Sequence, residues 1–186
     1  YLTSIGNFGE GPEEITVMGC LAIDEAHHQL YVSDHAKQKI FSYDMDSVMV
    51  DSLYKPQVKT AMNETLFPSE YQYINDTLSI AVLIKPTSTS TFNQFLGRWN
   101  MNTGEMIPMK YTHPDIQKKR ITFAASEKAG IYVECYTRHD LMTICSLDVE
   151  LLYNIYGPDW DGGNGNKLQS FGTVMIGNDK IFVSYC

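Results

Sequence analysis

Long apolar runs and clusters of basic residues are both missing from this sequence of 186 residues. No window approaches the roughly 18 uninterrupted apolar residues that span a bilayer, so no membrane-spanning helix is predicted. The densest basic stretch is "IQKKR" at Ile116–Arg120, and the formal net charge is -8. Because nucleic-acid binding requires a clustered positive surface, the sequence argues against a nucleic-acid partner.

Cysteine pairs of the kind that bind zinc or exchange disulfides are also missing. The four cysteines are Cys20, Cys135, Cys145 and Cys186, and no two of them form a CxxC motif, so a zinc or redox site is not predicted. Cys135 and Cys145 flank a predicted hairpin turn, but a disulfide would require their Cβ atoms to lie close together. We therefore expect mostly buried free thiols, no bound metal and no cofactor.

Helical periodicity is scarce, whereas alternation of apolar and polar residues with a period of two recurs along the chain. Four such runs are Gln29–Asp34, Thr77–Ile84, Gly130–Tyr136 and Lys180–Cys186. Turn residues separate each run from its neighbours. The sequence therefore predicts an all-β fold.

The four runs repeat at a nearly constant interval. The equivalent residues Leu30, Leu78, Ile131 and Ile181 are separated by 48, 53 and 50 positions. Each run follows a short strand and a polar turn, and in the first three repeats two more strands follow. In the first repeat these strands are predicted at Lys39–Met45 and Val48–Tyr54. Four antiparallel strands in about 50 residues are typical of a β-propeller blade.

The repeat assigns residues 1–186 to a single propeller domain. Its predicted blades cover residues 16–55, 69–111, 119–157 and, incompletely, 169–186. A proline precedes each repeat. Because proline cannot donate to a β-ladder, we expect these prolines in the connections between blades. They are Pro12, Pro68, Pro114 and Pro158.

About three and a half blades are present, whereas a propeller closes into a ring that hides its strand edges. Two interpretations are open. Either residues 1–5 complete a small four-bladed ring, or the chain is part of a longer propeller. The second interpretation is favoured because residues 1–5 can supply only one of the two missing strands.

Three stretches resemble a known family: "IGNFGEGPEEI" at residues 5–15, "LYVSDHAKQKIFSYD" at Leu30–Asp44 and "FGTVMIGNDKIFVSYC" at Phe171–Cys186. They are similar to the TolB-like six-bladed propellers of the bacterial cell envelope, many of which are predicted lipoproteins of unknown function. The second stretch is also similar to the NHL-type propeller repeat. The resemblance implies a six-bladed ring, with about two blades absent here, and a location in the periplasm or on the outer-membrane surface. It implies no catalytic residues.

Two glycine-rich loops could be taken for ligand sites. The loop at residues 5–15 contains no lysine, and its proline and the carboxylates of Glu10, Glu13 and Glu14 disfavour phosphate. The loop Gly157–Lys167 contains oxygen donors, but their spacing does not follow the EF-hand pattern of a calcium site. Neither loop is predicted to bind a nucleotide or a metal.

The histidines and acidic residues form no recognisable catalytic pattern. His27 and His28 are adjacent in a polar turn and are expected to be exposed to solvent. Asp34 ends a strand, where a carboxylate commonly caps the following turn.

In a propeller, the loops between second and third strands share one rim with the connections between blades. Loops on a rigid scaffold commonly carry function, and an exposed tryptophan beside carboxylates and arginine suits contact with carbohydrate or peptide. We therefore expect a protein or carbohydrate ligand on this rim. The candidate binding residues are His35, Lys85, Arg138, His139, Asp159 and Trp160.

These observations predict a non-catalytic binding or scaffolding module that acts outside the cytoplasm. The alternative is a propeller enzyme with lyase- or lactonase-like chemistry around a metal ion in the central channel. Such an ion would be held by His, Asp, Asn or Glu side chains of the first strands, which here contain almost none of these residues. The predicted first strands are Gly19–Ile23, Tyr71–Ile74, Ile121–Ala125 and Phe171–Ile176.

Overall fold

The computed structural model describes residues 2–61, 65–117, 119–166 and 168–186. These residues form antiparallel strands arranged in three four-stranded sheets and one two-stranded sheet. The predicted all-β propeller architecture is thus confirmed, with each four-stranded sheet forming one blade. Within the described residues, no helix has the length and hydropathy that crossing a membrane requires.

The first sheet has the strand order β1-β2-β3-β4. Its strands are β1 (Met18–Asp24), β2 (Gln29–Asp34), β3 (Lys39–Asp44) and β4 (Gln57–Ala61). A short helix, α1 (Met45–Val50), lies between the last two strands.

The predicted fourth strand at Val48–Tyr54 is wrong, because helix α1 occupies part of that segment and the fourth strand follows later. The side chain of Asp44 caps α1 by accepting a hydrogen bond of 2.7 Å from the backbone N–H of Ser47. The single buried residue of the helix, Val48, packs with Phe41 and Tyr43. The cap and this contact together favour a helical turn over an extended strand.

The second and third sheets repeat the same sequential strand order. The second consists of β5 (Phe67–Asn75), β6 (Leu78–Pro86), β7 (Phe92–Trp99) and β8 (Met106–Pro108). The third consists of β9 (Ile121–Ser126), β10 (Ile131–Tyr136), β11 (Leu141–Ser146) and β12 (Leu151–Tyr156). The two-stranded sheet consists of β13 (Phe171–Gly177) and β14 (Lys180–Tyr185).

The repeat read from the sequence matches these sheets. Leu30, Leu78, Ile131 and Ile181 each lie at the first or second position of the second strand in their sheet. Pro68 departs from the prediction, because it lies inside β5 and not in a connection. The register of β5 against β6 shifts between Pro68 and Glu70, and such an irregularity accommodates a residue that cannot donate to the ladder.

The chain divides into two compact units. The first unit comprises the chain up to Asn93 together with Trp99–Met106, and the second comprises Gln94–Arg98 and Ile107–Cys186. In the first unit, Ile15, Val32, Phe41, Tyr43 and Val48 form a buried apolar cluster. In the second unit, Ala124, Val133, Cys135, Phe171 and Val174 form another. Each unit therefore has its own core.

The cysteines are all free thiols. Cys135 and Cys145 are buried, Cys20 is half-buried and Cys186 is exposed. Burial raises the pKa of both Cys135 and Cys145 to about 12. These two thiols are therefore held in their unreactive protonated form.

Candidate functional site

The glycine-rich loop before β1 is closed by groups of the protein itself. The carboxylate of Glu14 accepts the backbone N–H of Gly11 at 2.8 Å. The ammonium group of Lys37 donates to the carbonyl oxygens of Gly11 and Glu14. The loop is thus closed by hydrogen bonds among its own groups and from Lys37.

Asp34 anchors this loop to the first blade. Its buried carboxylate accepts backbone N–H bonds from Thr16 at 2.7 Å, Val17 at 3.2 Å, Ala36 at 3.0 Å and Lys37 at 3.2 Å. Burial acts to raise the pKa of Asp34, but the backbone N–H donors outweigh it and leave the pKa below its usual value. The predicted turn-capping role of Asp34 is therefore present, and it is structural.

A more distinctive arrangement lies in the first unit, where the turn after β1 meets the turn after β5. The two strands contact each other, so their turns come together at the same end. Residues 23–27 and 73–77 line a cavity of about 480 Å³. We refer to this cavity as the turn pocket.

Asp24, the last residue of β1, lines the turn pocket, and its side chain is only 5% exposed. Its Oδ2 atom accepts a hydrogen bond of 2.7 Å from Nδ1 of His27, and its Oδ1 atom accepts the backbone N–H of His27 at 3.2 Å. The hydroxyl of Tyr73 donates to Oδ2 at 2.9 Å. Burial acts to raise the pKa of Asp24, but the bonds from His27 and Tyr73 outweigh it, so the pKa is lowered.

His27 is fixed by this carboxylate while its ring remains in contact with water. The hydrogen bond to Asp24 and then the charge of Asp24 raise the pKa of His27. The side chain of His27 is 64% exposed. A buried carboxylate that orients an exposed imidazole in this way is common around metal and catalytic sites.

Asp76 completes the group of ligating side chains. The hydroxyl of Tyr73 is 3.0 Å from Oδ1 of Asp76, and Nζ of Lys59 is 3.8 Å from the same oxygen. Ligand atoms of Asp24, His27 and Asp76 lie within 4.8 Å of one another. Two carboxylates and one imidazole therefore converge beside the hydroxyl of Tyr73.

No sequence motif predicts this arrangement. The predicted first strand ends at Ile23, one residue short of Asp24, and the polar turn predicts only that His27 is exposed. His27 is indeed exposed, but its bond to Asp24 depends on the fold of the turn. The available indication was the pair of similar strand ends, Ile23-Asp24 and Ile74-Asn75-Asp76.

The six predicted binding residues fall into both units. His35 and Lys85 belong to the first unit, and Arg138, His139, Asp159 and Trp160 belong to the second. His35 is half-buried against Gly19, where its ring leaves no room for a Cβ atom, and Lys85 is exposed. The structure brings the four residues of the second unit into one region of loops.

The loops of the second unit enclose a cavity of about 400 Å³, here called the loop pocket. Its walls are Asp115, Gln117, Arg138, His139 and residues 163–165. Arg138 is exposed and His139 is buried. The pocket is therefore polar, with a basic side chain at its surface.

Trp160 does not line the loop pocket and belongs to a group of aromatic rings that includes His139. Its ring centroid is 5.0 Å from that of Tyr156, 5.3 Å from that of His113 and 6.4 Å from that of His139. Trp160 is half-buried and not exposed as its loop position predicted, because the neighbouring rings cover it. It supports the pocket through His139, which is part of the wall.

His113 is fixed in one tautomer within this aromatic group. Its Nδ1 atom accepts the backbone N–H of Asp115 at 3.2 Å. The proton is therefore on Nε2, which donates to the hydroxyl of Tyr156 at 3.0 Å. This arrangement holds Asp115 at its place in the wall.

Asp159 turns away from the loop pocket. Its backbone N–H donates to the carboxylate of Asp140 at 2.8 Å, and its own carboxylate accepts a hydrogen bond of 3.4 Å from the hydroxyl of Tyr185. Asp159 therefore has a bonding role in the connection after β12.

The wall at residues 163–165 is shaped by Asp161 and by two glycines. The carboxylate of Asp161 accepts backbone N–H bonds from Asn166 at 3.1 Å and Gly165 at 3.4 Å, which lower its pKa. Gly163 has a φ of +86° and lies against the carbonyl oxygen of Asp115, where a Cβ atom would not fit. The loop is thus held by its own hydrogen bonds and by its close approach to Asp115.

The comparisons with known proteins support the fold. A family model described as "6-bladed beta-propeller" matches residues 1–83. No curated protein sequence matches the chain. A solved streptogramin B lyase has a TM-score of 0.50 and 10% identity, over 92% of this chain and 49% of the lyase chain.

Two further solved structures are similar at lower scores. A protein of unknown function from Bacteroides caccae has a TM-score of 0.45 and 12% identity, over 90% of this chain and 53% of its own. A calcium-binding protein, regucalcin, from Agrobacterium tumefaciens has a TM-score of 0.43 and 10% identity, over 92% of this chain and 68% of its own. The chain spans about half the length of the lyase and of the Bacteroides caccae protein. With three four-stranded blades and the likeness to the lyase, the chain is a β-propeller.

Proposed function

We propose that the chain is part of a six-bladed propeller that acts as a non-catalytic binding module, with the loop pocket as its ligand site. The six-bladed ring is supported by the family description that matches residues 1–83 and by the share of the lyase that the chain covers. The resemblance to TolB-like and NHL-type propellers supports a place in the bacterial cell envelope, outside the cytoplasm.

The exposed guanidinium group of Arg138 carries this proposal. Among the described residues, no carboxylate lies within ion-pair distance of Arg138, whereas Arg98 is paired with Asp148. An unpaired guanidinium at the wall of a pocket is suited to bind a carboxylate through two parallel hydrogen bonds. The ligand is therefore expected to carry a carboxylate.

The size and polarity of the loop pocket favour a carbohydrate over a protein surface. A stable protein interface needs roughly 1,000 Å² of buried area with an apolar centre. The loop pocket is instead a concave site of about 400 Å³, which falls in the range of small-molecule sites. Gln117 and Asn164 add hydrogen-bonding groups for hydroxyls. An acidic carbohydrate, such as one that contains a uronic acid, satisfies both requirements.

Glycan and peptide arrays probed with the complete natural protein test this proposal. We expect binding to carboxylate-bearing glycans and its loss in Arg138→Ala. Arg120→Ala is the matched control, because Arg120 is also exposed but does not line the loop pocket. Equal binding to neutral glycans, binding to peptides alone, or unchanged binding by Arg138→Ala would contradict the proposal.

A further inference from the structure

We propose that the turn pocket of the first unit binds a divalent ion of the first transition series, with Asp24, His27 and Asp76 as its protein ligands. This site is separate from the loop pocket and does not depend on the function proposed for it. The inference rests on the convergence of the three ligand groups, the burial of Asp24 and the open space beside them.

The ligand atoms are spaced as ligands of one ion would be. Typical metal–oxygen and metal–nitrogen bonds of about 2.0–2.2 Å place neighbouring ligand atoms about 3 Å apart. Nδ1 of His27 is 2.7 Å from Oδ2 of Asp24. The third ligand, Asp76, has a carboxylate oxygen within 4.8 Å of the ligand atoms of Asp24 and His27. On binding, the ion would take the place of the proton that Nδ1 of His27 shares with Oδ2 of Asp24, and this proton would be released to solvent.

The position of Asp24 distinguishes the turn pocket from an ordinary surface pair. The side chain of Asp24 is 5% exposed, so its charge is only weakly screened by water. His28 and Asp46 form a pair of the same residue types at 3.0 Å, but both side chains are more than 60% exposed. Within the described residues, no third ligating group joins that pair. The turn pocket therefore combines a buried charge with three ligands, which the surface pair does not.

The charges around the pocket leave room for an additional cation. Asp24, Glu25 and Asp76 contribute three carboxylates, and hydrogen bonds from neutral tyrosine hydroxyls reach Asp24 and Asp76 without cancelling their charge. The fixed cation is Lys59, whose Nζ atom is 3.8 Å from Asp76. A divalent ion would compensate the remaining negative charge, and Lys59 would compete with it for Asp76.

The mixed ligand set selects the class of ion. Calcium and magnesium take oxygen ligands, whereas imidazole favours zinc and neighbouring transition metals. The cavity of about 480 Å³ leaves space for water molecules as the remaining ligands. Zn²⁺ is therefore the appropriate probe, and Mg²⁺ is not expected to compete with it.

Calorimetric titration of the chelator-treated complete protein with Zn²⁺ tests the site. We expect one high-affinity ion per chain, and at least tenfold weaker binding in His27→Gln and in Asp76→Asn. Lys59→Met should bind Zn²⁺ more tightly, because it removes the competing ammonium group. The ring resonances of His27 in an NMR spectrum should shift on addition of one equivalent of Zn²⁺.

His28→Gln is the matched control, since it changes the adjacent histidine outside the proposed ligand set. Its Zn²⁺ affinity should equal that of the unchanged protein. Circular dichroism and thermal unfolding in the absence of metal establish that each variant is folded; His27 is exposed, so His27→Gln is expected to fold. Failure to bind one Zn²⁺, or equal losses in His27→Gln and His28→Gln, would overturn the proposal.

Discussion

The hydroxyl of Tyr73 lies 2.9 Å from the carboxylate of Asp24, although the two residues are 49 positions apart in the sequence. This separation is about one repeat, so the bond joins the first two blades at the ends of β1 and β5. The same hydroxyl is 3.0 Å from Asp76. Tyr73 therefore organises the turn pocket and connects two sheets within the first unit.

Replacement of Tyr73 by phenylalanine is predicted to destabilise the protein. A hydrogen bond to a charged group typically contributes about 1.5–3 kcal/mol, and Tyr73 is half-buried, so we expect a loss of about 1–2 kcal/mol. Urea unfolding should show a lower midpoint with an unchanged slope. Tyr153→Phe, at a tyrosine that is 65% exposed, should have no measurable effect. Equal midpoints for the two variants would show that the Tyr73 bond does not stabilise the fold.

The second prediction concerns how the contribution of Asp34 to the stability of the fold depends on pH. Its folded-state pKa is lowered, so its stabilising contribution is full above the ordinary aspartate pKa and is lost as the pH falls through the lowered value. Asp34→Asn should lower the free energy of unfolding by about 2–3 kcal/mol near pH 7. The difference in unfolding free energy between this variant and the unchanged protein should narrow between about pH 5 and pH 2. Unfolding free energies measured across this range test the sign.

Asp46→Asn serves as the comparison for Asp34, because the Asp46 side chain is 78% exposed. Its effect near pH 7 should stay within about 0.5 kcal/mol. If the difference in unfolding free energy between Asp34→Asn and the unchanged protein widens in acid, the result is inconsistent with a lowered pKa of Asp34.

The third prediction concerns thiol reactivity. Burial raises the pKa of Cys135 and Cys145 to about 12, and both are inaccessible to reagent. In the folded protein, an alkylating reagent should modify the exposed Cys186 first and leave Cys135 and Cys145 unmodified. Peptide mass spectrometry identifies the modified sites. Early modification of Cys135 would contradict the packing of β10.

The fourth prediction concerns the shape of the loop pocket. Gly162 and Gly163 both have positive φ values, of +72° and +86°. Alanine at either position should cost about 1–2 kcal/mol for the left-handed backbone. A Cβ atom at Gly163 would in addition collide with the carbonyl of Asp115, whereas one at Gly162 meets open space. Gly163→Ala should therefore reduce ligand binding more than Gly162→Ala, as a titration would measure.

The strands of the propeller could be predicted because their alternation is a local property of the sequence. Leu30, Leu78, Ile131 and Ile181 identify the blades without knowledge of any contact. Helix α1 was missed because Val48 and Val50 also fit an alternating pattern. The N-cap hydrogen bond from Ser47 to Asp44 decides in favour of the helix.

The turn pocket could not be predicted in the same way. Asp24 and Asp76 are brought together by the contact between β1 and β5, which no local pattern encodes. For the loop pocket, the sequence identified Arg138 and His139, but not the orientation of Asp159 toward Tyr185 or the partial burial of Trp160. The position of a residue in a rim loop follows from the order of the strands, whereas the direction of its side chain depends on how the loops pack.

Titration of the complete protein and its Arg138 variants with an acidic oligosaccharide measures whether Arg138 in the loop pocket binds the ligand. Arg138→Ala should weaken binding at least tenfold. Arg138→Lys should restore part of the affinity through its charge but not the paired hydrogen bonds, and Arg120→Ala should bind as the unchanged protein does. Equal affinity for Arg138→Ala and the unchanged protein would contradict the assignment of the loop pocket as the ligand site.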